Sequence, residues 1–334
     1  MRDPKITVVI PTLAADPCLL DCLASLDRQR FRDFRTVVVD NSGSAAIHRL
    51  GAARYPFLLV ENAANVGFGE AVNRGFAAAP ASYLAVLNDD AQAGENWLEA
   101  LHQALEAEPA AGMAACRILQ EGTDVLDSAG LGLALDGSSK QVGRGEPAAH
   151  FSQAGDALIP SGCAALYRRR MIDETGGFEA SFFLYCEDTD LALRGHWAGW
   201  RCLYVPQAVV EHRYSASAGA ASPLKAYLVE RNRLRMAVRC LPWSWLLRAP
   251  FASLVRYLHH LGALRGERSR TAGFVREHSV WQLPWLVVKA HLALLRDLPR
   301  LLMQRRRVRR RISGRAFAER LRAHRISLRE VASQ

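Results

Sequence analysis

The sequence predicts an α/β protein with a mainly parallel sheet, followed by a basic helical region. Short β-branched runs such as Ile6–Ile10 alternate with helical patterns through the first two thirds of the chain. This alternation implies right-handed crossovers and a sheet that is covered on both faces. The charge changes near residue 220: residues 1–219 carry 18 basic and 27 acidic side chains, and residues 220–334 carry 25 and 6. We therefore expect one region at 1–219 and a second at 220–334.

The expected elements follow one another at regular spacing. Strands are predicted at Ile6–Ile10, Thr36–Val39, Phe57–Val60, Tyr83–Leu87, Ser161–Tyr167, Arg201–Val205 and Ala208–Glu211. Helices are predicted at Leu19–Leu26, Glu70–Ala79, Trp97–Ala107, Met171–Glu174 and Asp188–Ala198. Residues 121–160 are richer in Gly, Ser and Asp, which favours short strands and loops.

Composition excludes several classes of protein. The seven cysteines are scattered and odd in number, which favours reduced thiols in a cytosolic protein over a disulfide framework. The apolar run near the N-terminus is too short for a signal peptide. No apolar run reaches the roughly 18–20 residues of a membrane span, so we expect a soluble or peripheral protein.

Polar residues cluster after the predicted strands, where ligands of such sheets bind. Asp40 ends the second strand, and it is either a turn residue or an acceptor of hydrogen bonds from the base or ribose of a nucleotide. The glycine-rich turn Asn65–Gly69 opens a helix that carries Asn73, and it is either a tight turn or an anion site formed by free backbone N–H groups.

A run of oxygen side chains, Asn88–Asp90, ends the fourth strand. Such a run suits Mg²⁺ or Mn²⁺, which take few protein ligands together with substrate phosphates, but a solvated acidic turn has the same pattern. His212 follows the last predicted strand, and it is either a structural residue or a further ligand of Mn²⁺.

The segment Phe182–Asp190 is the most informative part of the chain. Aromatic residues run directly into the carboxylates Glu187, Asp188 and Asp190 at the start of a predicted helix. Capping by the helix dipole explains one or two of these acids. A carboxylate at this place is also suited to act as a general base towards an acceptor hydroxyl.

Taken together and in order, these segments resemble the inverting nucleotide-sugar glycosyltransferases of family 2, in particular the rhamnosyltransferase-like members that build bacterial cell-envelope polysaccharides. The similarity covers about residues 5–215. The matching motifs are Val8–Thr12, Val38–Ser42, Asn65–Gly69, Asn73–Gly75, Leu87–Asp90, Ser161–Cys163, Gly176–Phe178, Glu187–Asp190 and His212. The resemblance implies the GT-A fold, a nucleotide-binding α/β sandwich with a mixed sheet.

The resemblance also implies roles for individual residues. The donor nucleotide would be held by Pro11, Thr12, Asp40, Asn65, Gly67, Asn73 and Asn88. A divalent metal, Mg²⁺ or Mn²⁺, would be bound by Asp90, Asp89 and His212. The acceptor site would be formed by Ser161, Gly162, Cys163, Glu187 and Asp190, with Asp188 as the catalytic base. The family's Asp-x-Asp motif is here Asn88–Asp90, so its first carboxylate is an amide.

The basic C-terminal third is expected to be helical. Four of the seven tryptophans and the arginine clusters 305–307 and 309–311 lie there. Tryptophan and basic amphipathic helices favour an anionic membrane surface, where each charge contributes about 1 kcal/mol. A solvated helical face or a dimer interface has the same pattern, and so does a nucleic-acid-binding segment, although no zinc pattern or RNA-binding aromatic signature accompanies it.

The sequence therefore predicts a metal-dependent inverting glycosyltransferase on the cytoplasmic face of the membrane. Its partners would be a nucleotide-diphosphate sugar (dTDP-rhamnose or a UDP-sugar), a saccharide or lipid-linked acceptor and anionic lipid, with no nucleic acid and with a homo-oligomer left open. The alternatives are a sugar-phosphate nucleotidyltransferase and a non-catalytic nucleic-acid-binding protein. The former would need an N-terminal glycine-rich loop with a basic residue, which Pro11–Ala14 is not.

Overall fold

The computed structural model describes residues 3–14, 17–213, 222–263 and 281–333. A ten-stranded sheet forms its centre, and β8 and β9 pair separately as a small hairpin. The strands are β1 (Ile6–Thr12), β2 (Phe34–Asp40), β3 (Leu58–Glu61), β4 (Tyr83–Leu87), β5 (Ala91–Ala93), β6 (Ala111–Gln120), β7 (Leu126–Ser128), β8 (Leu131–Leu133), β9 (Ser139–Gln141), β10 (Gly155–Ala157), β11 (Ala164–Arg168) and β12 (Arg201–His212).

The sheet is mixed, with strand order β10-β12-β6-β11-β4-β1-β2-β3. Strands β4, β1, β2 and β3 run parallel, β11 is antiparallel to both of its neighbours, and β12 is parallel to β6. The β-branched residues Val8, Val9 and Ile10 are fully buried. A continuous apolar run is what a strand covered on both faces requires, and the predicted fold class is confirmed.

Eleven α-helices lie in the described part of the chain. They are α1 (Cys18–Asp27), α2 (Phe68–Ala78), α3 (Trp97–Ala107), α4 (Arg169–Thr175), α5 (Glu187–Trp197), α6 (Pro223–Cys240), α7 (Trp243–Leu246), α8 (Ala249–Ala263), α9 (Gln282–Arg307), α10 (Gly314–Ala323) and α11 (Leu328–Ser333). Strand β4 and helix α3 have the predicted bounds. The two strands predicted at 201–205 and 208–211 are instead one strand, whose register with β6 shifts around Pro206 because proline has no N–H to donate.

The helices after residue 220 contribute to the core of the sheet. Met236, Leu241 and Phe317 belong to the same buried cluster as Val9 of β1. The rings of Phe317 and Trp197 stack with their centroids 4.1 Å apart. The net charge of the chain changes sign near residue 220, but the apolar core includes residues from both sides of this position. A domain boundary there stays a prediction.

The parallel strands end at one edge of the sheet. Thr12 at the end of β1 is paired in register with Asp40 at the end of β2, which is paired with Glu61 of β3. Strand β4 ends at Leu87, directly before Asn88. The carboxyl ends of these strands therefore bring the predicted nucleotide and metal residues to the same edge, as an open α/β sheet requires.

Candidate active site

Asp188 lies in the first turn of α5 and is held by three hydrogen bonds. Its Oδ2 accepts from the Gly162 amide at 3.1 Å, and its Oδ1 accepts from the amide and the hydroxyl of Thr189 at 2.6 and 3.2 Å. Burial raises the pKa of Asp188, although these hydrogen bonds lower it. The result is an oriented carboxylate with raised basicity, as a general base requires.

Glu187 precedes Asp188 and is buried at the same helix terminus. Burial and then the charge of Asp188 raise the pKa of Glu187 to about 8. Its Oε2 is buried without a hydrogen-bond partner. Two adjacent carboxyls in little water cannot both ionise easily, so we assign the proton near neutral pH to Glu187 and the charge to Asp188.

The loop Ser161–Cys163 connects Asp188 to the predicted metal motif. The Gly162 amide contacts Asp188, and the carbonyl oxygen of Cys163 accepts from the Asn88 amide at 2.8 Å. The Ser161 hydroxyl accepts from the Cys163 amide at 3.3 Å and closes the turn. The structure thus brings Asp188, the loop Ser161–Cys163 and Asn88 together, and the roles expected of them stay predictions.

His212 bridges two carboxylates at the end of β12. Its Nε2 lies 3.2 Å from Oδ1 of Asp90, and its Nδ1 lies 3.0 Å from Oδ2 of Asp127. Burial lowers the pKa of His212, but Cys163, Asp127 and Asp90 raise it more strongly. Sequence reasoning missed Asp127, which lies on the short strand β7 far away in the chain and carries no recognisable motif.

These residues fit a divalent cation that is completed by a substrate diphosphate. Among the described residues, no group of three or more His, Cys, Asp or Glu side chains forms a ready metal centre. However, Oδ1 of Asp90 is buried and lies 3.2 Å from Nε2 of His212, so a carboxylate oxygen and an imidazole nitrogen converge there. A hard cation that keeps few protein ligands would suit this donor set in place of the Nε2 proton, and a carboxylate behind a ligating histidine would fix the orientation of its ring.

Thr12 is hydrogen-bonded to Asp89 of the predicted metal motif Asn88–Asp90. Its hydroxyl donates to Oδ2 of Asp89 at 2.6 Å and accepts from the Ala14 amide at 2.8 Å. Pro11 precedes it within β1. The end of β1 therefore orients one of the predicted metal-binding carboxylates.

Asp40 has both oxygens occupied by its own loop. Oδ1 accepts from the Ser42 amide at 2.9 Å, and Oδ2 accepts from the Ile47 amide at 3.0 Å. Burial raises the pKa of Asp40, but these hydrogen bonds lower it below the ordinary value. The structure supports the turn role for Asp40, and its contact with a nucleotide stays a prediction.

An amide network organises the neighbouring loop. Asn41 donates to Oδ1 of Asn65 at 2.9 Å and accepts from Asn62 at 3.1 Å and from the Val66 amide at 3.0 Å. Asn41 and Asn62 lie next to strand ends, but sequence reasoning named only Asn65 as a site residue. Their side chains join loops that are separate in sequence, which no local pattern reveals.

The structure favours the tight-turn interpretation of Asn65–Gly69, and the nucleotide contacts expected of Asn65 and Gly67 stay predictions. The amides of Val66, Gly67 and Phe68 donate to Asn41, Asn65 and the Phe183 carbonyl. Gly67 has φ +86°, and a Cβ there would lie 2.3 Å from that carbonyl oxygen. Glycine is required for contact with the segment before α5, and the turn does not offer these three amides to an anion.

Asn73 contacts the backbone of Phe178. Its Nδ2 donates to the Phe178 carbonyl at 2.8 Å, and its Oδ1 accepts from the Phe178 amide at 3.0 Å. The side chain holds the Gly177–Phe178 turn, so its predicted nucleotide contact stays a prediction.

The placement of Asp190 in the acceptor site is wrong. Its carboxylate is fully buried and pairs with Arg194 at 2.7 Å and with Arg239 at 3.2 Å. Positions two residues apart in an α-helix are rotated by about 200° around its axis, so Asp190 and Asp188 occupy opposite faces of α5. Asp190 fixes the helix to α6 instead of facing the cleft.

Comparisons with known sequences agree with this geometry. Residues 7–176 match the model described as "Glycosyl transferase family 2". The chain is 31% identical over 294 residues to the N-acetylglucosaminyl-diphospho-decaprenol L-rhamnosyltransferase of Mycobacterium tuberculosis. That match covers 79% of this chain and 95% of the relative.

Solved structures share the fold at low identity. A Pyrobaculum calidifontis mannosyltransferase in complex with GDP-Man and Mn²⁺ superposes with a TM-score of 0.54 at 16% identity, covering 97% of this chain and 87% of that one. GalNAc-T7 with UDP, GalNAc and Mn²⁺ gives 0.60 at 14% identity, covering 89% and 57%. The GT-A fold predicted by the resemblance is confirmed.

The raised pKa of Glu187 predicts a pH-dependent stability. Its pKa of about 8 in the folded state lies above its ordinary pKa of 4.5. Between these two pH values the folded state therefore retains a proton that the unfolded state releases. The free energy of unfolding attributable to Glu187 therefore falls as pH rises through this window, by roughly 2–4 kcal/mol. The variant Glu187→Gln should lose this slope and be more stable than the wild type at pH 8. Urea unfolding at pH 5 and pH 8 measures both effects; parallel pH profiles for the two proteins would contradict the assignment.

Proposed function

This chain belongs to glycosyl transferase family 2 and is a glycosyltransferase, and we propose that it moves a sugar from a nucleotide-diphosphate donor to a lipid-linked saccharide with inversion at the anomeric carbon. The observation that carries the proposal is the position of Asp188. It is bound by the cleft loop that also contacts Asn88 of the predicted metal motif.

Asp188 acts as the single base in this proposal. Its carboxylate accepts the proton of the acceptor hydroxyl while the hydroxyl oxygen forms a bond to the anomeric carbon. The bond from that carbon to the nucleoside diphosphate breaks on the opposite side, so the configuration inverts. Glu187 stays protonated and next to the base, which keeps a second negative charge away from the acceptor.

Asp90, Asp89 and His212 would hold the divalent cation. When bound, Mg²⁺ or Mn²⁺ stabilises the negative charge that develops on the departing diphosphate. Thr12 orients Asp89, and Asp127 orients the imidazole of His212 through Nδ1. The Mn²⁺ complexes of the two structural neighbours support the choice of cation.

The curated relative supports the sugar and the acceptor that we propose. That protein is named as an L-rhamnosyltransferase acting on N-acetylglucosaminyl-diphospho-decaprenol. We infer dTDP-rhamnose as the donor, with UDP-sugars as the alternative, and a diphospho-polyprenol saccharide as the acceptor. Such an acceptor is a membrane intermediate of cell-envelope polysaccharide synthesis.

The surface of α8 suits a membrane-bound acceptor. Its buried face carries Ala252, Ser253 and Arg256. The opposite face is apolar at helical spacing, with side chains between 43% and 75% exposed: Phe251, Leu254, Val255, Leu258 and Leu261. An apolar stripe normally faces the core, so its exposure here marks an interaction surface.

A second apolar stripe begins at Trp281, directly before α9, and extends along that helix. Its side chains are between 48% and 78% exposed: Trp281, Trp285, Val288, Leu292 and Leu295. Exposed basic residues accompany it: Lys289, Arg296, Arg300, Arg306 and Arg307. Apolar stripes with tryptophan and flanking positive charge suit the surface of an anionic leaflet. We infer that α8 and α9 lie on the inner face of the cytoplasmic membrane.

Within the described ranges, none of the helices is long and apolar enough to cross a bilayer.

The variant Asp188→Asn tests the base. It preserves shape but cannot accept the acceptor proton, so transfer should fall by about 10²–10⁴-fold while donor binding remains. Transfer from dTDP-rhamnose and UDP-sugars to a diphospho-polyprenol N-acetylglucosamine is measured beside calorimetric binding of the donor. The matched control is Asp173→Asn at an exposed position of α4, which should behave like the wild type. Wild-type transfer by Asp188→Asn would overturn the assignment.

Replacement of the stripes tests the membrane surface. The triple variant Phe251→Ser, Leu258→Ser, Leu292→Ser leaves every charge in place but removes apolar area, so binding to vesicles should weaken at least about 30-fold. Cosedimentation with phosphatidylglycerol–phosphatidylcholine vesicles measures this.

The matched control replaces Leu58, an exposed leucine of β3, by serine. Unchanged vesicle binding by the triple variant would contradict the membrane surface. Light scattering provides a second check. A dimeric wild type and a monomeric triple variant would also contradict the membrane surface, because the stripes would then form a dimer interface.

A further inference from the structure

The segment that leads into α5 has an unusual backbone. Phe183, Tyr185 and Cys186 have φ values of +66°, +72° and +67°. Residues other than glycine rarely adopt this region, and each such conformation costs about 1 kcal/mol or more. Three of them within four residues, directly before Glu187 and Asp188, must be held in place by contacts with the rest of the protein.

Asn232 of α6 supplies those contacts. Its Nδ2 donates to the carbonyl oxygens of Phe182 at 2.9 Å, Leu184 at 2.8 Å and Tyr185 at 2.9 Å. The side chain is fully buried. A primary amide has two N–H groups, so three carbonyls share them in a three-centred arrangement.

Arg231 reinforces the same contact. Its Nε donates to Oδ1 of Asn232 at 2.9 Å, which sets the orientation of the amide, and its guanidinium donates to the Phe182 carbonyl at 2.8 Å. The carbonyl groups of Phe182, Leu184 and Tyr185 are therefore turned towards the Asn232 side chain instead of towards a neighbouring strand.

The opposite side of the segment contacts the amide network. The Phe183 carbonyl accepts from the Phe68 amide at 2.7 Å, and Gly67 leaves the space for it. Asn232 on one side and the start of α2 on the other thus enclose the segment that leads into the helix of Asp188.

We propose that Asn232 is a positioning residue for the catalytic base, holding the Phe182–Cys186 segment in the conformation that directs Asp188 towards the Gly162 amide and the acceptor. The proposal rests on the role of Asp188 proposed above. Asn232 does not touch the reacting atoms. Its effect passes through the first turn of α5, because Cys186 directly precedes Glu187, the first residue of that helix, and Asp188 is the second.

Few other side chains can replace Asn232. An aspartate has the same shape but presents oxygens to three carbonyl oxygens, and a serine supplies one donor instead of two. Leaving buried carbonyls unpaired would favour relaxation of the strained segment and displacement of Asp188.

The test compares Asn232→Asp and Asn232→Ser with the wild type under saturating donor and acceptor. A displaced base lowers kcat, and a misplacement of about 1 Å costs about 10²-fold, so kcat should fall about 10²-fold in Asn232→Asp and less in Asn232→Ser. The KM for the donor should remain within about twofold, because the donor contacts are not altered. The acidic limb of the pH–kcat profile should also move to higher pH as the Gly162 hydrogen bond is lost.

Tyr204→Phe is the matched control. It removes a different hydrogen bond, from a tyrosine hydroxyl to the Phe151 carbonyl at 2.9 Å, and should leave kcat and the pH profile unchanged. If Asn232→Asp does not fold, Asn232→Ser carries the test. A folded variant with wild-type kcat and pH profile would overturn the proposal, as would an equal fall in kcat for Tyr204→Phe. Either result leaves Asp188 intact as the base, whereas an active Asp188→Asn would overturn that role itself.

Discussion

The hydrogen bond from the Gly162 amide to Asp188 is the contact on which the site depends. It links the start of α5 to a loop whose next residue contacts Asn88 at the end of β4. The proposed base on a helix and the proposed metal motif directly after a strand thereby acquire a fixed separation. The mixed sheet makes this possible, because β11 runs antiparallel to β4 and begins where β4 ends.

The C-terminal helices serve the fold and the proposed membrane surface at once. Met236 and Phe317 complete the core, and Asn232 contacts the segment before the base. The outward stripes of α8 and α9 remain exposed. Helix α6 packs on both α5, which carries the proposed base, and α9, which carries part of the proposed membrane surface. The proposed base would therefore be held at a fixed position relative to the membrane.

Much of the fold was predictable because local patterns determine it. A short buried apolar run and helical apolar spacing placed β4 and α3 at their observed bounds. The site was predictable only in part. Asp127 and Asn41 act through contacts between segments that are distant in sequence, and Asp190 shares a motif with Asp188 but faces the other way. Gly67 matched an anion-binding pattern, whereas the structure uses it for backbone packing against Phe183.

The anomeric configuration of the product shows whether Asp188 acts as the single base. A single base, Asp188, with no second carboxylate acting as a nucleophile requires one displacement and hence inversion. Proton NMR of the purified product, compared with the nucleotide-sugar donor, reads the configuration at the transferred carbon. We expect inversion in every product molecule. Retention would require a covalent or internal-return route and would contradict the single-base mechanism.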